Sequence, residues 1–368
     1  MEKYRVIQKE VIALGPDMIE EVHAPDDRVP DGVRPNLLAV FNGKDTSKTL
    51  WILTHIDVVP PGERSLWDHD PFQPGVQDGL IIGRGVEDNG QALAASVFAV
   101  KSVAATCGFG INVGLALVSD EETGSQYGLD YVLRERAELF RPQDLIVVPD
   151  AGNKDGDQIE IAEKHLLHVR FRVKGKQAHA SRPDMSINTL RAASHFIVEL
   201  DQALAAGFAQ RNEFFNPPVS TFEPTKKEAN VPNINTIPGE DVFYFDCRVL
   251  PEISLGLVME EMQRTGKRIE ERFGVTTTVE EFLKNPSAQA TPSDSPVVVA
   301  LAQAIQEVYG VQARPNGIGG QTVALFFRRR GLPAAVWEKI LGTAHAPNEK
   351  ISVANLVGNT KVFARMMI

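Results

Sequence analysis

The chain has 368 residues, 43% of them hydrophobic and 23% charged, the balance of a globular protein and not of a disordered or fibrous one. That length exceeds one ordinary compact domain, so two domains are expected. The 38 basic against 48 acidic residues, a formal charge of −10, argue against nucleic acid as a partner, because phosphate binding needs concentrated Lys and Arg.

The opening segment, MEKYRVIQKEVIAL, carries charges throughout and lacks the apolar core of a signal peptide. No stretch approaches the ~20 apolar residues of a membrane span, so no membrane partner and a cytoplasmic location are expected. Cys107 and Cys247 stand far apart without a CxxC spacing, which leaves any metal to His and carboxylate ligands.

Apolar, β-branched runs at Thr49–Thr54, Val113–Val118, Leu145–Val148 and Pro333–Trp337 each end in polar or acidic residues. Helix-like stretches such as Gln91–Ala105 separate them, which predicts an α/β catalytic domain with a mainly parallel sheet. Ligands of such sheets bind beyond the C-terminal strand ends, where His55, Asp120 to Glu122, Asp150 and His345 fall. From residue 165 the rhythm changes. HLLHVRFRV, a helical Ser186–Ala206, DVFYFDCRV, a helical Leu255–Phe273 and VTTTVEEF alternate strand and helix, with room for another strand near Asn230–Ile237. This predicts an inserted smaller α+β domain over 165–283, between 1–164 and 284–368 of the catalytic domain. The Pro- and Ser-rich KNPSAQATPSDSP marks the return. Arg328-Arg329-Arg330 before Gly331 reads as a helix C-terminus with cations at the negative dipole end and a glycine cap.

The chemistry gathers at the strand ends. His55 and Asp57 are two apart on a strand and project to one side, so Asp57 can accept a hydrogen bond from the imidazole nitrogen that does not face a metal. Asp88 lies in the glycine-rich GRGVEDNG just before a helix, where a carboxylate is also favoured as an N-cap. SDEETG follows a strand too apolar to be a solvated charge run; if extended, Glu121 and Glu122 point to opposite sides, so Glu122 could bind metal while Glu121 reaches a water. PDAG at 149–152 and TAHAPNE at 343–349 each add a potential ligand after a strand. Two His and three carboxylates suit zinc, cobalt or manganese better than calcium. Three carboxylates against two divalent cations leave about one positive charge, a balance that favours two ions.

HIDVVP (55–60), GRGVEDNG (83–90), SDEETGS (119–125), PDAG (149–152), GKQAHASRP (175–183) and AHAPNE (344–349) together span nearly the whole chain. In that order they resemble the metallopeptidase M20 family, which includes acetylornithine deacetylase, succinyl-diaminopimelate desuccinylase and glutamate carboxypeptidase. The resemblance implies a two-metal amidohydrolase cleaving N-acyl amino acids or short peptides, with zinc, cobalt or manganese. It implies that His55 and Asp150 bind one ion, Glu122 and His345 the other, and that Asp88 bridges them. Glu121 matches the general base and Asp57 the residue orienting His55. The smaller domain would be a ferredoxin-like lid and dimerisation unit whose His179 stabilises the oxyanion, often across a homodimer. Asn235 and Arg248 match positions of substrate contact and carboxylate recognition, and Gly319 and Gly320 lie in a segment like a glycine-rich substrate pocket. Gln321 and Val323 depart from the pattern, as does His165, where glycine is common, and these departures bear on substrate. The rival readings are a carboxypeptidase or dipeptidase, and a binding protein on the same scaffold. An intact Glu121, needed for chemistry and not for holding metal, argues against the last.

Overall fold

The computed structural model describes residues 2–368. The chain forms two units. The first runs through Ile161 and resumes as Gln289–Asn316 and Thr322–Ile368; the second comprises Ala162–Ala288 and Gly317–Gln321.

A large mixed α/β sheet organises the first unit. Its strands lie in the order Met18–Pro25, Val33–Phe41, Ile111–Val118, Asp45–His55, Leu145–Asn153 and Ala334–Lys339, continuing into Gln158–Glu163 and Arg314–Ile318. The four strands from Ile111–Val118 to Ala334–Lys339 are mutually parallel, with His55 beside Val118 and Ala335 beside Val147. The first two strands join antiparallel. Trp51, Leu53, Ala116, Val118, Ile146, Val148 and Val336 form one core with Leu129, Val132 and Phe327 of two short helices. Trp51 packs at 4.7 Å from Phe140, and a Cβ on Gly114 would collide with its ring. The helices Ala92–Thr106, Pro296–Tyr309 and Val353–Met367 pack together and against the same strands. Covered strands of this kind read as unbroken apolar runs, which is why all four were visible in sequence.

The second unit holds a four-stranded antiparallel sheet in the order Thr221–Lys227, Glu240–Val249, His165–Lys174, Thr276–Asn285. Phe243, Phe245, Cys247 and Val249 are buried while Tyr244, Asp246 and Arg248 are half-exposed, the alternation of a sheet with one covered face. The helices Thr189–Gly207 and Leu255–Phe273 supply that cover; Phe171 stacks on Phe243 at 4.8 Å and meets Phe196 edge-on at 5.3 Å.

Three expectations need correction. The fourth strand is Thr221–Lys227, not the Asn230–Ile237 region, which contributes only Thr236–Ile237 to a two-residue ribbon with Ala178–His179. Thr221–Lys227 is an edge strand with Pro224 at a register shift, so it carries neither apolar alternation nor strand-forming residues throughout. The helix expected from Ser186 begins at Thr189, because the Asn188 side chain accepts the Arg191 N–H and caps it there. Gly317–Gln321 falls in the second unit, where Gly317 and Ile318 pair with Phe215 and Asn216. The triple-arginine segment is as expected, since Gly331, at φ +74°, follows the helix Ala324–Arg329, whose last turn carries Arg328 and Arg329; Arg328 is in addition buried against Glu160 at 2.8 Å.

Behind the strand ends, the buried Asn36 donates to the carbonyls of Val22 (3.1 Å) and Tyr127 (3.0 Å) and accepts the Ser119 N–H (2.9 Å). It thereby fixes where the Ile111–Val118 strand gives way to Asp120–Glu122. Asn36→Leu strands three buried partners, each unmade bond costing about 1–3 kcal/mol, so we expect more than about 2 kcal/mol of destabilisation, read as a lower urea midpoint.

Candidate metal centre

His55 is the last residue of its strand and is buried. Its Nε2 lies 2.8 Å from Asp88 Oδ1 and 3.3 Å from Asp150 Oδ1. Asp88 sits in the irregular turn Val86–Gln91 that leads into the helix Ala92–Thr106. Gly85 begins that turn with φ +75°, and a Cβ there would strike the Val58 side chain, so only glycine lets the turn close over the strand end. Asp150 belongs to the strand Leu145–Asn153, which runs past it instead of ending before it.

Asp88 faces a second group through its other oxygen. His345 Nε2 is 3.1 Å from Asp88 Oδ2 and 3.2 Å from Glu122 Oε2. The donors thus form two triads, His55–Asp88–Asp150 and Asp88–Glu122–His345, with the ligand atoms of each within 4.8 Å of one another. The residues fit a divalent cation: Glu122 Oε1 is buried with no hydrogen-bond partner, and an imidazole-carboxylate donor set without thiolate suits zinc-like ions.

The carboxylates crowd one another. Burial, then the charges of Asp150, Glu122 and Asp88, push Glu121 up to about 9, against a smaller opposing effect of His55. Burial and Asp88 likewise raise Glu122. Burial by itself would lower the His55 pKa, but Asp150, Asp57 and Asp88 raise it well above the ordinary value. Without a cation the cluster therefore holds protons, and ligation requires His55 to give its proton up.

The split between Glu121 and Glu122 does not come from strand alternation. Asp120 adopts a left-handed backbone, φ +64°, and Glu121–Thr123 follow as a single tight turn. The Asp57 carboxylate accepts the N–H groups of Glu121 and Glu122, both at 3.2 Å. His55 Nδ1 is 3.1 Å from the Asp57 carbonyl and 3.6 Å from its Oδ1. Asp57 hence braces both the imidazole and the acidic turn.

The remaining candidate residues lie in the second unit. His179 is exposed, its Nδ1 2.8 Å from Ser181 Oγ, and the Asn235 carbonyl accepts the Ala180 N–H at 2.8 Å, so both belong to the short ribbon. Arg248 is bound by Asp246 at 2.7 Å, with His168 2.9 Å from the same carboxylate, and it donates to the Gly319 carbonyl at 3.4 Å. A Cβ at Gly319 would meet nothing within 4 Å and one at Gly320 only Ile318 at 3.9 Å, so packing does not demand glycine at either position. His165 is tied to Ser287, whose N–H it accepts at 2.7 Å.

Asn89 escaped the sequence reading. Its amide donates to the Pro149 carbonyl (2.6 Å) and to Asp150 Oδ1 (3.3 Å), and its carbonyl oxygen faces the His55 N–H at 3.4 Å. It ties together three segments that carry potential ligands. Arg84, Glu87 and Glu349 also stand inside the quoted motifs without being singled out there; for Arg84 and Glu87 the available signal was charge among glycines with no helical periodicity.

Residues 51–368 match the family model described as peptidase family M20/M25/M40. An uncharacterized metallohydrolase of Methanocaldococcus jannaschii is 39% identical over 345 residues, covering 91% of this chain and 84% of the relative. A succinyl-diaminopimelate desuccinylase of a Nitratiruptor species is 30% identical over 305 residues, 81% and 78% of the two chains. The crystal structure of human carnosine dipeptidase 1 shares the fold with a TM-score of 0.77 at 18% identity, covering 99% of this chain and 88% of that one. With a family match across most of its length and carboxylate-imidazole clusters at its strand ends, the protein belongs to the M20 peptidase family and is a metal-dependent hydrolase acting on C–N bonds.

Proposed function

We propose that the protein uses two divalent cations, zinc or alternatively cobalt or manganese, to hydrolyse the amide bond of an N-acyl amino acid or a short peptide. The observation that carries this reading is Asp88, whose two carboxylate oxygens face different imidazoles. His55 and Asp150 hold one cation, Glu122 and His345 the other, and Asp88 bridges them. Divalent ions held there supply Lewis acidity, lowering the pKa of water and polarising a scissile carbonyl.

Glu121 is the general base. It takes the proton of the attacking water as the new C–O bond forms, then passes it to the amine nitrogen as the C–N bond breaks. Its carboxyl, pushed up to about 9 among unligated carboxylates, returns toward the ordinary range once those carboxylates are engaged in ligation. Asp57 orients His55 and holds the N–H groups of the acidic turn. Arg248 receives a substrate carboxylate, with Asn235, Gly319 and Gly320 as further contacts, and Asp246 holds the guanidinium until substrate arrives. The smaller unit acts as a ferredoxin-like lid through which two copies pair, and His179 of the second copy donates to the developing oxyanion, an interaction worth about 3 kcal/mol.

The desuccinylase relative supports an N-acyl substrate. Arg248 fits the terminal carboxylate of a dipeptide equally well, which sustains a carboxypeptidase or dipeptidase as the second reading. Assaying N-acetyl and N-succinyl amino acids beside dipeptides separates the two.

Metal analysis of the purified chain should find up to two divalent ions, and chelation should abolish hydrolysis; full activity after exhaustive metal removal would end this reading. Glu121→Ala should retain both ions while turnover falls by about 100- to 10,000-fold, whereas Asp88→Ala should lose metal as well. Hydrolysis by Glu121→Ala at the parent rate would remove Glu121 from the mechanism. Mixing the inactive variants Glu121→Ala and His179→Ala under subunit exchange should restore about a quarter of the sites, because each mixed dimer regains one complete site. Verified mixed dimers that stay inactive would reject the shared site.

A further inference from the structure

Two carboxylates next to the proposed ligands are not members of the donor triads, yet each is buried and saturated with hydrogen bonds. Glu87 directly precedes Asp88, but its side chain reaches the other ligand segment. Oε1 accepts the N–H groups of Leu341 (2.6 Å) and Gly342 (3.0 Å). Oε2 accepts those of Thr343 and Ala344 (2.8 Å), together with the Thr343 hydroxyl at 2.9 Å. Four successive backbone donors leading up to His345 thus converge on one carboxylate.

Glu349 does the converse. It lies four residues after His345, and its Oε1 accepts the N–H groups of Glu87 (2.8 Å) and Asp88 (3.0 Å). Its Oε2 accepts the Gly85 N–H at 3.0 Å and pairs with Arg84 at 2.5 Å. Arg84 also donates to the His345 carbonyl at 3.2 Å. Each segment therefore supplies the carboxylate that folds the other.

The arrangement bears on backbone strain. His345 adopts φ +63°, a left-handed conformation that a residue with a Cβ rarely takes and that persists only where surrounding bonds over-determine it. The Glu87 carboxylate supplies those bonds on the N-terminal side, and Arg84 holds the carbonyl on the other. A carboxylate can gather four N–H groups because it is acceptor-only; an amide of the same shape would turn N–H against N–H.

We propose that Glu87 and Glu349 are reciprocal positioning residues: Glu87 sets His345 for one cation, and Glu349 sets Asp88, which serves both. The inference rests on the two-cation reading of the site. It predicts an unequal effect that general loss of stability would not produce. Glu87→Gln should weaken only the cation held by Glu122 and His345, by about 10- to 100-fold, and leave the one at His55 and Asp150 near parent affinity. Glu349→Gln should weaken both by a similar factor, because both share Asp88.

The test is titration of metal-stripped full-length protein with Co2+, followed by calorimetry and visible absorption, with the parent chain and the surface variant Glu307→Gln as references. Thr343→Val keeps both carboxylates but removes one donor to Glu87, and should weaken the same single cation several-fold; it carries the test if Glu87→Gln does not fold. Parent-like binding of both cations by the folded variants, or equal weakening of both by Glu87→Gln or Thr343→Val, overturns the proposal. A parent chain that binds no Co2+ overturns the two-cation reading itself, and the inference with it.

Discussion

Carboxylates gathered at partly buried strand ends repel one another, and the rest of this structure is arranged around that repulsion. Asp88, Glu121, Glu122 and Asp150 share a region with His55 and His345. Burial, and then these charges, push the Glu121 carboxyl up to about 9, while the surrounding carboxylates raise His55 well above its ordinary range against its own burial. Such a concentration of negative charge is stable only when positive charge can enter it, which is the physical basis of metal dependence in this family.

Around the triads lies a layer of groups that hold the segments carrying the donor atoms. Asp57 accepts from the backbone of the acidic turn, Asn89 connects Pro149, Asp150 and His55, and Asn36 anchors Ser119. This layer costs the cluster little further repulsion where it uses amides and backbone N–H groups. Where it uses carboxylates, Asp57 takes the N–H groups of the acidic turn, and Glu87 and Glu349 are each occupied by donors of the opposite segment.

Membership of the M20 family fixes the reaction class, hydrolysis of a C–N bond; the second unit carries charged pairs of its own. In that unit Arg248 is already compensated by Asp246. The substrate carboxylate proposed to reach Arg248 would therefore compete with an existing ion pair, which favours ligands that bring additional contacts over free carboxylates.

The sequence by itself determined the family, the reaction class and the central strands. Covered parallel strands require continuous apolar runs, and the polar residues that end those runs fall where α/β sheets bind ligands. The motif order determined which residues to examine at the site. It did not reveal Thr221–Lys227, because an edge strand with a proline need not be apolar. The triads themselves were decided by tertiary structure: His55, Asp88, Glu122, Asp150 and His345 are up to 290 residues apart, and the parallel sheet and the turn closed by Gly85 bring the donor atoms of each triad within 4.8 Å of one another. The division between Glu121 and Glu122 was likewise tertiary, since it arises from the left-handed Asp120 and the Asp57 brace and not from strand alternation. The crossing of Glu87 and Glu349 was out of reach for the same reason. A local pattern shows a carboxylate's neighbours in the chain, while these two find their hydrogen-bond donors about 260 residues away.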